Sequence, residues 1–583
     1  MSESGSASKV STSTAWGVVS PGATSFAREL PIVLAGIGLF YAVLVFAHYW
    51  SGPVNFRAQI SLSPASLPKY ALFSVLRLVA AYIISLVFTL IYGYTAAYNR
   101  RAEKFMIPLL DTLQSIPVLS FLPGVMISMV ALFPTRQLGV ELGSILLIFT
   151  GQVWNMTFSF YSSLKTIPSE MREAATAYRL SWWQRFWQLE LPQAAIGLIW
   201  NSMMSVAGGW FFLMACEMFV LGNRDFRLPG LGSYLQTAAN SGDTRAILYG
   251  IAAMIGTIIL MDQVIWRPVI AWAQKFKLEQ VSGEAPRSPI LSLLRSSRLL
   301  PFVSRSWIFP LREKLDLHFA QKSTELSASS GKTRRSRWFI ASATGLALAG
   351  IAYAVAKMLA MISTLSVIEI RHILLGAGAT FLRVEFALLL AATWTIPAGV
   401  AIGLRPRLSA VAQPIAQVAA SVPATALFPI ILMILIRAGG GLGIGSIVLL
   451  LIGTQWYILF NVIAGATAIP ADLKEVCSTY RLSLLDRWRT LLLPAIFPYL
   501  ITGFVTASGG AWNASIVAEY FHFRGETIST LGLGSIISQA TDSGNFRVLL
   551  AATVIMAMIV VTINRLVWRR LFSIATTRFT LQG

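Results

Sequence analysis

Charge is what this sequence has least of. Only 12% of its 583 residues are Asp, Glu, Lys or Arg, about half the share of a soluble globular domain. That is too little to cover a soluble protein of this length. Cysteine is nearly absent: Cys216 and Cys477 exclude a disulfide framework and a four-cysteine zinc site. The four histidines (His48, His318, His372, His522) are too scattered to outline a metal site. No Ser/His/Asp set or paired carboxylates stand out as a catalytic constellation. Gly331-Lys332-Thr333 resembles the end of a phosphate loop. However, the glycine required five residues earlier is Leu326, and no apolar strand precedes the segment. The expectation is a chain with no catalytic residue, metal site or cofactor of its own.

What is abundant is apolar sequence, 55% of the residues. After a polar tail at 1–30, the run Pro31–Trp50 is long enough to span a bilayer core of about 30 Å. It lies too far from the N-terminus, and runs too long, for a cleaved signal peptide. Five further apolar stretches follow at 70–96, 108–133, 140–163, 194–221 and 246–270. A second set of six occupies 338–361, 377–402, 414–437, 443–466, 496–520 and 547–568. Such long continuous runs favour helices over barrel strands, which alternate. The expected fold is an all-α membrane protein of two tandem six-helix transmembrane domains, 31–271 and 338–583, joined by a basic linker at 272–337.

The formal charge of +21 takes on meaning once placed on this topology. The linker holds thirteen Lys and Arg against five Asp and Glu. Arg100, Arg101, Lys104, Arg405, Arg407, Arg569 and Arg570 fall on the same side, and the opposite loops are poorer in basic residues. By the positive-inside rule that side is cytoplasmic, with both termini on it. The excess charge then faces membrane lipid headgroups, not nucleic acid.

The two sets of spans are copies. Adding 302 carries Trp154 to Trp456, Pro168 to Pro470, Glu173 to Glu475 and Tyr178-Arg179-Leu180-Ser181 to Tyr480-Arg481-Leu482-Ser483. It also carries Trp210 to Trp512, Glu217 to Glu519 and Gly230-Leu231-Gly232-Ser233 to Gly532-Leu533-Gly534-Ser535. Upstream the offset is 306, taking Arg77 to Arg383 and Pro117 to Pro423. An even number of spans per copy gives a parallel repeat with a pseudo-twofold axis along the membrane normal. A path between the halves follows.

Between the fourth and fifth spans of each half lies a segment too polar to span. Ile167-Pro168-Ser169 starts a helix, Leu180-Ser181 breaks it, and a second short helix is expected to run to Pro192. Glu173-Ala174-Ala175, Leu189 and Leu191-Pro192 have the spacing of the EAA loop. Here the sequence resembles bacterial ABC importer permeases of the type I fold. In the second half Glu475, Leu491 and Leu493-Pro494 hold the same spacing, with Val476 and Cys477 replacing the alanines. Both halves depart at the glycine of the pattern, which is Arg179 and Arg481. Phe381-Leu382-Arg383, Ile116-Pro117 ahead of Pro123, and Trp512-Asn513-Ala514 before Glu519 are similar to the nitrate/sulfonate/taurine branch.

The resemblance implies that the two segments dock on two separate ATPase subunits, which carry the ATP and Mg. It also implies a periplasmic or lipid-anchored solute-binding protein as a further partner, and the bacterial inner membrane as the location. The implied cargo is a small anion such as nitrate, sulfonate or bicarbonate. Acids inside membranes default to function, so Glu217 and Glu519, with Arg77, Arg383, Trp210, Trp512 and Asn513, are candidates for the translocation path. Either acid could instead pair with a nearby arginine such as Arg224 or Arg524. An ion-gradient-driven secondary transporter would also suit parallel repeats, but its loops need not carry two EAA segments. A membrane-embedded enzyme would need a convergent polar cluster that the sequence does not offer.

Overall fold

The structure is a computed structural model that describes residues 59–221, 224–273, 289–296, 355–523 and 526–578, with Trp50 and a few short isolated pieces. The tail at 1–30, residues 31–49 of the expected span Pro31–Trp50, part of 338–361 and most of the linker lie outside the described residues. Within them the chain is helical apart from two short hairpins.

The first half runs α1 (Leu67–Tyr98), α2 (Arg100–Ser115), α3 (Leu122–Leu132), α4 (Leu138–Lys165), α5 (Ser169–Ala177) and α6 (Trp182–Glu217). The hairpin β1 (Val220–Leu221) and β2 (Arg224–Asp225) follows, then α7 (Leu231–Ser241) and α8 (Thr244–Ala273). The second half repeats this order. Its elements are α9 (Val367–Gly403), α10 (Pro406–Ser421), α11 (Ala424–Arg437), α12 (Leu442–Thr467), α13 (Ala471–Thr479), α14 (Leu484–Ala518), β3 (Tyr520–Phe523), β4 (Glu526–Ser529), α15 (Leu533–Asp542) and α16 (Phe546–Ala575). Seven described helices are long and apolar enough to cross a membrane, and nine if each of two bent pairs counts as one span. At 28 residues, α4 rises about 42 Å. It is more polar than its counterpart α12 because it carries Glu141, Gln152, Asn155 and Lys165.

Two expectations need correction. The stretches 108–133 and 414–437 are each two helices bent by 84° where single spans were expected. Proline disfavours helical geometry at the residue before it. Ile116 before Pro117 and Val422 before Pro423 accordingly adopt extended backbone (ψ 126° and 116°). The second short helix, in turn, does not stop at Pro192. It passes through a π-turn at Phe186–Glu190 and continues to Glu217 as one helix. A proline has no N–H to donate and its ring crowds the carbonyl four residues back. The widened turn makes room for it, and Trp488–Leu492 does the same ahead of Pro494.

In each half the core is a layer in which α4 packs between α1 and α6, or α12 between α9 and α14. The halves meet in matched pairs: α6 lies against α10 and α11, and α14 against the 118–121 turn before α3. α8 meets α10 as α16 meets α2, and α7 meets β3 as α15 meets β1. This reciprocity is the pseudo-twofold that the repeat implied.

Candidate functional site

Helices α6 and α14 start at one end of the bundle, and there the two EAA segments sit. Helix α5 closes with the backbone pattern of a Schellman cap. The Leu180 N–H donates to the Ala175 carbonyl at 3.0 Å, and Leu482 donates to Cys477 at 3.1 Å in the second half. That cap requires a left-handed residue, usually glycine, and Arg179 (φ 50°) and Arg481 (φ 48°) take it. The missing glycine has therefore not changed the turn. It places an arginine in a backbone region costing about 1 kcal/mol relative to glycine. Ser181 then opens α6 with a capping box: its Oγ accepts from the Gln184 N–H, and Gln184 Oε1 accepts from the Ser181 N–H. Ser483 caps α14 through the Asp486 N–H.

On α5 the second alanine of the motif, Ala175, is buried, and Glu173, Ala174 and Arg179 are exposed. Cys477 is likewise buried, and Glu475 and Arg481 face outward. Tyr178 (81% exposed) and Tyr480 (75% exposed) stand beside the arginines at the two tips. Leu191, Pro192 and Pro494 are half-buried and Leu493 is exposed, at the junctions with α6 and α14.

At the far ends of α6 and α14 lie Glu217 and Glu519, whose partners are Arg77 and Arg383. Arg77 Nη1 donates to Glu217 Oε1 at 2.8 Å, and its Nε and Nη2 grip both oxygens of Glu141 at 2.7 Å each. Ser74 Oγ donates to Glu217 at 2.6 Å, and the Gly232 N–H to its other oxygen at 2.8 Å. In the second half Arg383 and Thr380 Oγ1 bind Glu519, and the Gly534 N–H donates at 2.8 Å. The Gly-Leu-Gly-Ser repeat now has a reason. A Cβ at Gly230 or Gly532 would collide with the carboxylate, and the third residue's N–H caps it at a helix N-terminus. Arg524 lies outside the described residues. Glu141 was not anticipated; it was legible only as an acid in an otherwise apolar run.

Among the described residues, two cavities lie between the halves. The larger, about 540 Å³, lies at the end opposite the EAA segments and is lined by Leu122, Phe219, Arg227, Gln236, His522 and Asp542, among others. Its polar groups are paired: Arg227 with Asp225 at 2.5 Å, and the His522 ring with Asp542 at 3.4 Å. Burial, with the bond to Asp542, raises the Tyr520 phenol above its ordinary range. The smaller, about 110 Å³, is central and largely apolar, with Phe211, Trp456, Tyr457 and Asn513 in its wall. Asn513 also bridges the halves, accepting from the Leu119 N–H at 3.4 Å. Of the candidate path residues, Asn513 reaches a described cavity. Arg77, Glu217, Arg383 and Glu519 are held within their own halves, and Trp210 and Trp512 are buried in the core.

The architecture defines a class: a multi-pass helical transport permease written twice in one chain. The model of the family "Binding-protein-dependent transport system inner membrane component" matches residues 85–264 and 395–572, once per half, and the chain belongs to that family. It is similar to the nitrate import permease of Leptolyngbya laminosa, 31% identical over 190 residues (33% of this chain, 64% of that protein). The bicarbonate transport system permease of Synechococcus elongatus is 31% identical over 141 residues (24% and 49%). The taurine transport system permease of Escherichia coli is 25% identical over 185 residues (31% and 62%). Each match spans less than two thirds of the relative's own length.

Proposed function

We propose that this chain is the fused permease subunit of an ATP-driven importer in a bacterial inner membrane, with both termini cytoplasmic. One copy serves two ATPase subunits, which hold the ATP and Mg, and receives solute from a periplasmic or lipid-anchored binding protein. The observation that carries the reading is the pair of EAA helices, built alike and leading directly into α6 and α14. The short Schellman turn and the cap at Ser181 or Ser483 leave little slack between hook and span. A displacement of α5 or α13 therefore moves α6 or α14. Each span rises about 50 Å toward the far end, where the Glu217 or Glu519 lock fixes it to its own half. Moving the hooks together would shift the α6 and α14 surfaces that line the central cavity, opening one end as the other closes.

The relatives' names favour nitrate, bicarbonate or a sulfonate as cargo. Expression of the tagged chain with its genomic neighbours tests the reading. Two ATPase subunits per chain are expected to co-purify, and Glu173→Arg with Glu475→Arg is expected to release both. Capture of no ATPase would overturn it.

A further inference from the structure

The two arginine locks are not equal, and the difference exposes one edge of a guanidinium. In the first half Arg77 is fully enclosed and its Nε/Nη2 edge holds the Glu141 carboxylate. The repeat register places Gly443 opposite Glu141. A Cβ at Gly443 would meet nothing nearer than Thr530 Oγ1 at 4.0 Å, so the space is open. Arg383 keeps Nη1 on Glu519, and Nη2 makes only longer contacts, to the Leu531 carbonyl at 3.2 Å and Thr530 Oγ1 at 3.4 Å. Its Nε makes no hydrogen bond among the described residues. The Arg383 side chain is 11% exposed, against 0% for Arg77.

We propose that Arg383 forms a binding site for an oxyanion group, two of whose oxygens sit where the first half carries the Glu141 carboxylate. The parallel N–H groups of a guanidinium edge match two oxygens of a carboxylate, nitrate or bicarbonate. The first half shows that match inside the same chain. Thr530 supplies a hydroxyl donor at the rim. Charge agrees: one arginine and two glutamates give the first lock a formal charge of −1, the second has 0, and one bound anion makes them equal. The phosphate of an anionic lipid headgroup offers the same oxygens to the same donors.

The test uses the purified full-length chain in neutral detergent. Its Tm is followed against sodium nitrate or sodium formate, with sodium chloride at equal ionic strength as reference. A saturable rise with nitrate or formate is expected in the wild type. Gly443→Glu supplies the missing carboxylate, so its Tm should start higher and show no anion response. Glu141→Gly creates a second open edge, and formate should restore part of its lost Tm. Phosphatidylcholine nanodiscs with and without phosphatidylglycerol separate the sources. A Tm rise with phosphatidylglycerol alone, lost in Gly443→Glu, assigns the site to lipid phosphate. An equal anion response in the wild type and Gly443→Glu overturns the proposal, as does a wild type that responds to neither anion nor lipid. If Glu141→Gly does not fold, the wild type and Gly443→Glu still decide.

Discussion

The two halves share a backbone and differ in how it is tied. Three polar clamps built on charged side chains tie the described spans of the first half. Arg77 joins α1 to α4 and to the end of α6. Arg185 binds the buried Glu190 at 2.7 Å, and Tyr98 donates to the same carboxylate at 2.6 Å, joining α6 to α1. Glu103 accepts from Tyr161 at 2.5 Å and pairs with Lys165 at 2.9 Å, joining α2 to α4. At the equivalent positions the second half has Gly443 for Glu141, Leu492 for Glu190, Leu404 for Tyr98, Ser409 for Glu103 and Ile463 for Tyr161. Arg487, the copy of Arg185, keeps an Nε without a hydrogen bond among the described residues. Of these three clamps, the second half therefore keeps a reduced copy of the first among the described residues, and the same fold stands. Apolar packing along the α9–α12–α14 layer is sufficient, as expected where buried ion pairs about break even against well-packed hydrophobic residues. Losing one member of an existing clamp is a different matter, because it strands a buried charge.

The largest effect should come from Arg77→Leu, which leaves two buried carboxylates without their cation and should cost about 3–5 kcal/mol. Arg383→Leu strands one carboxylate and should cost clearly less. Thermal denaturation of the purified chain reads both, and equal losses would break the comparison. Next, Arg185→Leu strands Glu190 and should cost about 2 kcal/mol. The double change Glu190→Leu with Tyr98→Leu copies the second half and should stay within about 1 kcal/mol of wild type. Arg179→Gly and Arg481→Gly should each stabilise their turn by about 1 kcal/mol. They should do so equally, since both arginines share the left-handed conformation. The smallest effect should be Glu103→Ser, at a partly exposed pair that salt screens. Its loss should shrink further as salt is raised in the same melting assay.

The repeat, the described spans and both EAA segments were legible because each rests on spacing that the duplication preserved. The bends at Pro117 and Pro423 were marked by proline but hidden by hydropathy, which does not register an 84° turn. Glu217 and Glu519 were visible as repeated acids, but their partners lie about 140 residues away and are set by helix packing. Comparing the halves also favours what they share. Glu141, Tyr98, Glu190 and Glu103 escaped notice because the second half replaces them. Arg179 and Arg481 looked like departures from the family pattern, yet the glycine-type turn survives through backbone hydrogen bonds that sequence does not reveal.

The central claim is that both EAA helices drive one transport cycle. The direct measurement is ATP-driven solute uptake into vesicles holding the chain with the proposed ATPase subunits and binding protein, comparing wild type with Glu173→Ala, Glu475→Ala and the double variant. The account predicts a sharp loss in each single variant and no uptake in the double, with the chain's own Tm unchanged, since both side chains are exposed. Uptake at the wild-type rate in the double variant would contradict it.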